Sequence, residues 1–281
     1  MAVLVSVIIP AYNEEEDIGK CLSSLEKQSY KNKEVIVIDD GSIDKTKEII
    51  WGFKKVKLIK GEHRGPGFSR NLGAKKARGK ILIFVDADMT FEKNYIKNLI
   101  EPIIKEKIIG TEEGRQIASN QENIWSKCWG THFKDYSYQD KGYIFRAIQK
   151  KEFFKMGCFD PKYGYGDDAT FYFKYGIMSR RVKNAVCYHK NPETLKEVFK
   201  QSRWIGASIQ NKVIEIKGIN YLVPLFGILL SPIMIVALSI KKCHKNGNFS
   251  LFLPMLLFMT YRYFGTLNGL FRKIYFGMNV R

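Results

Sequence analysis

From Ile219 to Arg281 the chain has 7 Lys or Arg and not one Asp or Glu. That missing negative charge excludes a self-neutralised surface and leaves a field that favours phosphates, whether in nucleotides, anionic lipids or nucleic acid. Cysteine pairs are missing too. Cys21, Cys128, Cys158, Cys187 and Cys243 are odd in number, scattered and without a CxxC. A disulfide framework and a cysteine zinc site are therefore disfavoured, and reduced thiols in a cytoplasmic domain are predicted. The N-terminus has no basic n-region or small-residue cleavage site; Val3 to Ile9 runs into Pro10 within one strand length and reads as the first strand. A dinucleotide fingerprint is also absent, because the sixth position after Gly65-Pro66-Gly67 begins is Arg70, which disfavours a nicotinamide-dependent dehydrogenase.

What the 281 residues do contain is a core's worth of apolar side chains, 45% hydrophobic, under a net charge of +18. One large domain, or one domain with an appendage, is the expectation. Val3 to Ile9, Glu34 to Ile38, Val56 to Lys60 and Ile81 to Val85 are short β-branched runs, separated by helical periodicity such as Ile18, Cys21, Leu22 and Leu25. This alternation predicts an α/β fold with a mostly parallel central sheet, whose ligands gather beyond the strands' carboxyl ends. Acids stand in those places: Asp39-Asp40 and Asp86-Ala87-Asp88 directly follow strand-like runs, and Asp167-Asp168 follows Gly164-Tyr165-Gly166. Carboxylates gathered there can hold a divalent metal and a nucleotide diphosphate in one crevice.

Lys107 to Gly142 is polar and aromatic without a clean period, and reads as a loop-rich acceptor region. Within it Trp125 and Trp129, four apart, share a helical face that serves either sugar stacking or a core. Residues 193–218 form an amphipathic pattern with basic flanks, suited to covering the sheet or lying on a membrane surface. Residues 219–281 read as a membrane anchor with one or two transmembrane helices, at about 221–240 and 249–271, re-entrant or interfacial placement being the alternative. Residues 1–192 are then the catalytic domain.

Five stretches in order resemble the family-2 glycosyltransferases of the GT-A fold. They are Ser6 to Glu14 (SVIIPAYNE), Val37 to Ser42 with Asp44 and Thr46, Ser69-Arg70-Asn71-Leu72-Gly73, Phe84 to Asp88, and Gly157, Phe159, Asp160 with Gly166-Asp167-Asp168. The resemblance covers roughly Val3 to Trp204. It implies a nucleotide-sugar-binding domain in which Pro10, Ala11, Tyr12, Asn13, Glu14, Asp39, Asp40, Gly41, Ser42, Arg70, Asp86 and Ala87 bind the donor. Asp86, Asp88 and His189 would ligate Mg²⁺ or Mn²⁺, Asp168 would be the general base, and Asp167, Trp125 and Trp129 would face the acceptor. The reaction implied is inverting, from a UDP- or GDP-linked sugar.

Three departures from the family's pattern bear on the acceptor, the first being Lys174, which stands where relatives often carry Arg and loses bidentate recognition of a phosphate. Asp167 stands where the family's motif usually has Glu, so a helix-capping role is as open as acceptor binding. Lys200 replaces the Gln of the Gln-x-x-Arg-Trp motif of processive synthases, which favours single-sugar transfer. The expectation is transfer to a lipid-linked or glycan acceptor at the cytoplasmic face of the cell membrane, without nucleic acid as a partner. A polyprenyl-phosphate monosaccharide synthase is the near alternative. Pro10 to Glu14 lacks the glycine-rich, Arg/Lys-containing loop that a sugar nucleotidyltransferase has after the first strand, and a non-catalytic polyanion-binding membrane protein leaves the ordered acids without a task.

Overall fold

The computed structural model describes residues 2–129, 133–135, 140–213, 223–245 and 247–276, with 133–135, 209–213, 223–230 and 245 described by backbone alone. The chain divides into two compact units. A sheet unit comprises Met1–Ile117, Phe133–Pro161 and Asp167–Lys190; a helical unit comprises Ala118–His132, Lys162–Gly166 and Asn191–Arg281.

The strands are β1 (Val5–Ala11), β2 (Lys33–Asp39), β3 (Val56–Lys60), β4 (Ile81–Phe84), β5 (Met89–Phe91), β6 (Gly110–Ala118), β7 (Phe133–Asp135), β8 (Lys141–Gly142), β9 (Ala147–Gln149) and β10 (Ser179–His189). The helices are α1 (Ile18–Glu26), α2 (Thr46–Trp51), α3 (Pro66–Lys76), α4 (Tyr95–Lys105), α5 (Ile124–Trp129), α6 (Lys150–Lys155), α7 (Thr170–Tyr175), α8 (Leu195–Val213), α9 (Val223–Lys245) and α10 (Phe252–Phe276).

In the sheet unit the strand period of two divides the core into two layers. Val5, Val7 and Ile9 of β1 join Val35 and Val37 of β2 under α1 and α4. Those helices bury Ile18, Cys21, Leu22 and Leu25, and Ile96, Leu99, Ile100 and Ile103, at three- and four-residue spacing. Ile8, Ile36, Ile38, Leu82 and Phe84 face the other way, onto Ala74 of α3 and the rings of Phe145, Phe153, Phe159 and Phe171.

The sheet runs β3-β2-β1-β4-β9-β6-β10-β5, with β7 paired to β6 and β8 to β10. The expected mostly parallel sheet is corrected to a mixed one. β3, β2, β1 and β4 are parallel, whereas β9 pairs antiparallel with both β4 and β6, and β5 antiparallel with β10. The βαβ rhythm that enforces parallel pairing stops at β4. The region expected to be loop-rich instead contributes β6 and α5.

The helical unit corrects the predicted transmembrane spans. Helices form at α9 and α10, but among the described residues no helix is long and apolar enough to cross a membrane. Arg262, Arg272 and Lys273 interrupt α10, and Lys241 and Lys242 close α9. Residues 221–222 of the first expected span, and 214–218 of the expected amphipathic segment, lie outside the described residues. α10 packs along α8 and α9 and against α5. Val198, Ile235, Met255 and Phe258 form the unit's apolar cluster, with Trp125 and Trp129 packed on it. The buried face of α8 is thus spent on α10.

Candidate functional site

The carboxyl ends of β1, β2 and β4 deliver three groups of residues to one side of the sheet unit. After β1, Asn13 has a left-handed backbone (φ 56) and is tied to the β2 loop from both directions. Its N–H donates to the Ser42 hydroxyl at 3.0 Å, and its side-chain oxygen accepts from the Ile43 N–H at 3.0 Å. The Glu14 N–H donates to Thr46 Oγ1 at 2.8 Å. These bonds fix the stretch Pro10-Ala11-Tyr12-Asn13-Glu14 against Asp39-Asp40-Gly41-Ser42.

Asp39 and Asp40 are both buried. The Asp39 carboxylate accepts from the Ser42 N–H at 3.2 Å. Asp40 accepts from the Arg64 and Gly65 N–H groups at 3.1 and 2.8 Å, so it organises the loop before α3. His63, also in a left-handed conformation (φ 53), places Nδ1 2.8 Å from the Asp40 carbonyl oxygen and its ring 4.6 Å from that of Tyr12. His63 was missed from the sequence: a lone His in a charged loop carries no periodic signal, and only the fold brings it to Tyr12.

Beyond β4, Arg70 of α3 is buried between two acids. One guanidinium nitrogen is 2.6 Å from Asp86 Oδ1 and the other 2.5 Å from Asp167 Oδ1. Gly67, one turn earlier, has to be glycine because a Cβ there would strike the Asp167 carboxylate. Arg146 backs the same cluster. It lies 3.7 Å from Asp86 Oδ2, pairs with Glu113 at 3.0 Å and donates to the Phe84 carbonyl oxygen at 3.2 Å. Buried charges persist only when paired in this way. Burial alone would raise the Asp86 carboxyl, but Arg70 and Arg146 outweigh it and hold it down at about 2. Asp167 goes the other way: burial pushes it up to about 7 against the pull of Arg70, and Asp168 adds to the rise. Asp168 is half-buried and within electrostatic reach of both guanidiniums.

Asp88 and His189 form the remaining corner. His189 ends β10, whose pairing with β5 sets it opposite Met89, and its Nε2 is 3.4 Å from Asp88 Oδ2. Burial raises the Asp88 carboxyl, partly opposed by His189. Asp88 Oδ1 is buried and has no hydrogen-bond partner. An orphaned carboxylate oxygen beside an imidazole is a donor set that fits Mg²⁺ or Mn²⁺, provided a ligand's oxygens complete the shell. Among the described residues no three His, Cys, Asp or Glu side chains stand together as a metal-holding group. Of the three predicted ligands, Asp88 and His189 are thus brought together, while Asp86 is committed to Arg70 and Arg146.

Trp125 and Trp129 belong to the helical unit. Trp129 packs edge-on against Phe258 with 5.8 Å between ring centres, and Arg262 lies 4.5 Å above its ring. Trp204, of the synthase-like stretch, packs edge-on against Tyr165 at 5.1 Å, also within that unit. Lys174 is taken up by Asp160 at 2.8 Å. A surface hollow along α1, bordered by Glu15, Glu16, Lys20 and Lys27, includes none of the site acids.

Acids at strand ends, held apart by buried arginines and leaving one carboxylate oxygen open, define an α/β domain built to grip a phosphorylated ligand. Residues 6–160 match the profile of Glycosyl transferase family 2, more than half of the chain. An uncharacterized glycosyltransferase of Haemophilus influenzae is 35% identical over 216 residues, covering 71% of this chain and 81% of that protein. The chain belongs to glycosyl transferase family 2.

EpsJ of Bacillus subtilis, an uncharacterized glycosyltransferase, is 26% identical over 221 residues, 70% of this chain and 64% of that protein. The glycosyltransferase GlyA of Streptococcus pneumoniae is 36% identical over 105 residues, which are 36% of this chain and only 15% of GlyA. The chain therefore spans less than two thirds of either. S. aureus TarS 1–349 in complex with UDP superposes with a TM-score of 0.56 at 20% identity, over 96% of this chain and 91% of that one. Pyrobaculum calidifontis PcManGT in complex with GDP-Man and Mn²⁺ gives 0.57 at 17% identity, over 94% and 86%. These likenesses establish a GT-A-like α/β fold.

Proposed function

We propose that the chain transfers a sugar, with inversion, from a UDP- or GDP-linked donor to a lipid-linked or glycan acceptor at the cytoplasmic face of a membrane. The observation that carries this reading is the open Asp88 oxygen beside His189, in the same cluster as Asp86, Arg70, Asp167 and Asp168. The nucleoside sits along Pro10 to Glu14 and Asp39 to Ser42, with Tyr12 and His63 offering ring faces. Asp88 and His189 would hold a divalent cation, which would supply positive charge to offset that of the departing diphosphate. Arg70 and Arg146 keep Asp86 ionised and fixed.

Asp168 takes the proton from an acceptor hydroxyl, whose oxygen bonds to the anomeric carbon as the bond to the diphosphate oxygen breaks. The nucleoside diphosphate leaves from the opposite face. Asp167, clamped by Arg70, positions its neighbour and borders the acceptor. Relatives bound to UDP or GDP-Man in crystals support the donor class, and the Mn²⁺ of one supports the cation. The absence of acids after Gly218 supports an anionic membrane partner.

The test is a transfer assay with UDP- and GDP-sugars, Mn²⁺ and polyprenyl-phosphate-linked glycans, with product anomeric configuration read by NMR. Inverted product from one donor is expected. A retained configuration, or no consumption of any sugar nucleotide, contradicts the proposal.

A further inference from the structure

α10 carries apolar side chains on two faces. Met255, Phe258, Met259 and Leu270 are buried, and Gly265 and Gly269 lie so close to the α8 backbone, at Phe199 and Arg203, that no Cβ fits there. On the other side Leu253, Leu257, Tyr261, Phe264, Phe271 and Tyr275 recur at mostly three- and four-residue spacing with their side chains in solvent, Leu253 being 70% exposed. At 1.5 Å per residue that row is about 33 Å long. α9 adds Ile233, Met234, Val236 and Ile240, with Ile233 73% exposed. An apolar face of this extent on a soluble surface marks a docking site.

Charge says what docks there. The same two helices carry exposed Lys241 and half-buried Arg272 and Lys273, with no acid anywhere after Gly218. With no acids among them, these cations give the two helices a field that complements an anionic bilayer, whose acyl boundary takes the apolar rows. Among the described residues no helix is long and apolar enough to cross. We infer that the helical unit docks in the plane of an anionic membrane, inserting the Leu253–Leu257–Phe264–Phe271 row of α10 and the neighbouring Ile233–Ile240 row of α9 into the interface without spanning it. This deepens the membrane part of the proposed function and does not depend on sugar transfer.

The test is flotation of the full-length chain with vesicles of phosphatidylcholine alone and of phosphatidylcholine with phosphatidylglycerol. Selective binding to the anionic vesicles is expected, weakened by salt. Leu253→Glu, Leu257→Glu and Phe264→Glu combined lower it at least tenfold, while sugar-nucleotide binding stays as in the parent chain. Should the triple variant fail to fold, Lys241→Gln with Lys273→Gln is the second arm, expected to remove the anionic preference.

Three results overturn the inference. They are no flotation with either vesicle, flotation indifferent to both sets of substitutions, and resistance to alkaline carbonate extraction, which denotes a span. The first of these, joined by a solution dimer that the Glu substitutions break, makes a second copy the occupant. If flotation persists as described but no sugar nucleotide binds, the membrane inference stands and the transferase reading fails.

Discussion

The two units handle charge in opposite ways. In the sheet unit acids are buried and answered one by one: Asp86 and Asp167 by Arg70, and Asp86 and Glu113 by Arg146. In the helical unit cations predominate, and one of them, Arg262, rests on the face of Trp129. The first arrangement fixes side chains for chemistry, because a buried ion pair tolerates little movement before its desolvation cost is exposed. The second leaves charge at a surface, where it selects a partner by long-range attraction. What separates them is the partner: carboxylates answered by guanidiniums in one unit, and in the other cations met by a ring face and by backbone carbonyls.

The sharpest way to break the comparison is at Asp168. Replacing it with Asn should leave sugar-nucleotide affinity intact and lower the transfer rate by on the order of 10² to 10⁴, measured by single-turnover kinetics. A collapse of donor affinity with an unchanged rate for the bound complex would make Asp168 a binding residue.

Next is Arg146→Leu. It strands Glu113 in a buried site, while Asp86 keeps Arg70, and should cost about 3–5 kcal/mol in denaturant unfolding. Arg262→Leu in the helical unit, which removes a cation from a ring face rather than from a buried acid, should cost far less. Equal losses would erase the distinction between the units.

A smaller effect is predicted in pH. Glu112 is buried, and its carboxyl is pushed from 4.5 up to about 7 by burial and then by Glu113, against Arg181. A carboxyl raised on folding contributes stability below its unfolded value, and that contribution is lost as pH rises through the folded value. Stability should therefore fall between about pH 4.5 and 7, by no more than about 3 kcal/mol from this group. Glu112→Gln should flatten the slope, and Asp167, which shifts the same way, leaves a remainder of it. An identical slope in the variant would remove Glu112 as the cause.

How much of this was legible in the sequence follows from the range of each signal. β1, β2 and β4 were readable because β-branched runs end in turn-forming or acidic residues, and the order of those acids carried the family resemblance. β6 was not. Its Gly-Thr-Glu-Glu-Gly-Arg start reads as a solvated loop, and Arg146 and Arg181, far along the chain, help make two buried glutamates tolerable. Arg70 was read as a donor ligand, yet the fold sets it between Asp86 and Asp167, a pairing that depends on a partner 97 residues away. The expected spans differ for another reason: α10 spends one apolar face on α8 and α9 and leaves another exposed, and a hydropathy run does not separate the two.

Asp88 holding a cation for the donor's diphosphate is the central claim. The direct measurement is calorimetric affinity for UDP- and GDP-sugars with and without Mn²⁺, in the parent chain, Asp88→Ala and Asp168→Asn. The prediction is that Mn²⁺ strengthens binding of one donor at least tenfold in the parent and in Asp168→Asn, and leaves Asp88→Ala unmoved. An undiminished Mn²⁺ response in Asp88→Ala would contradict it.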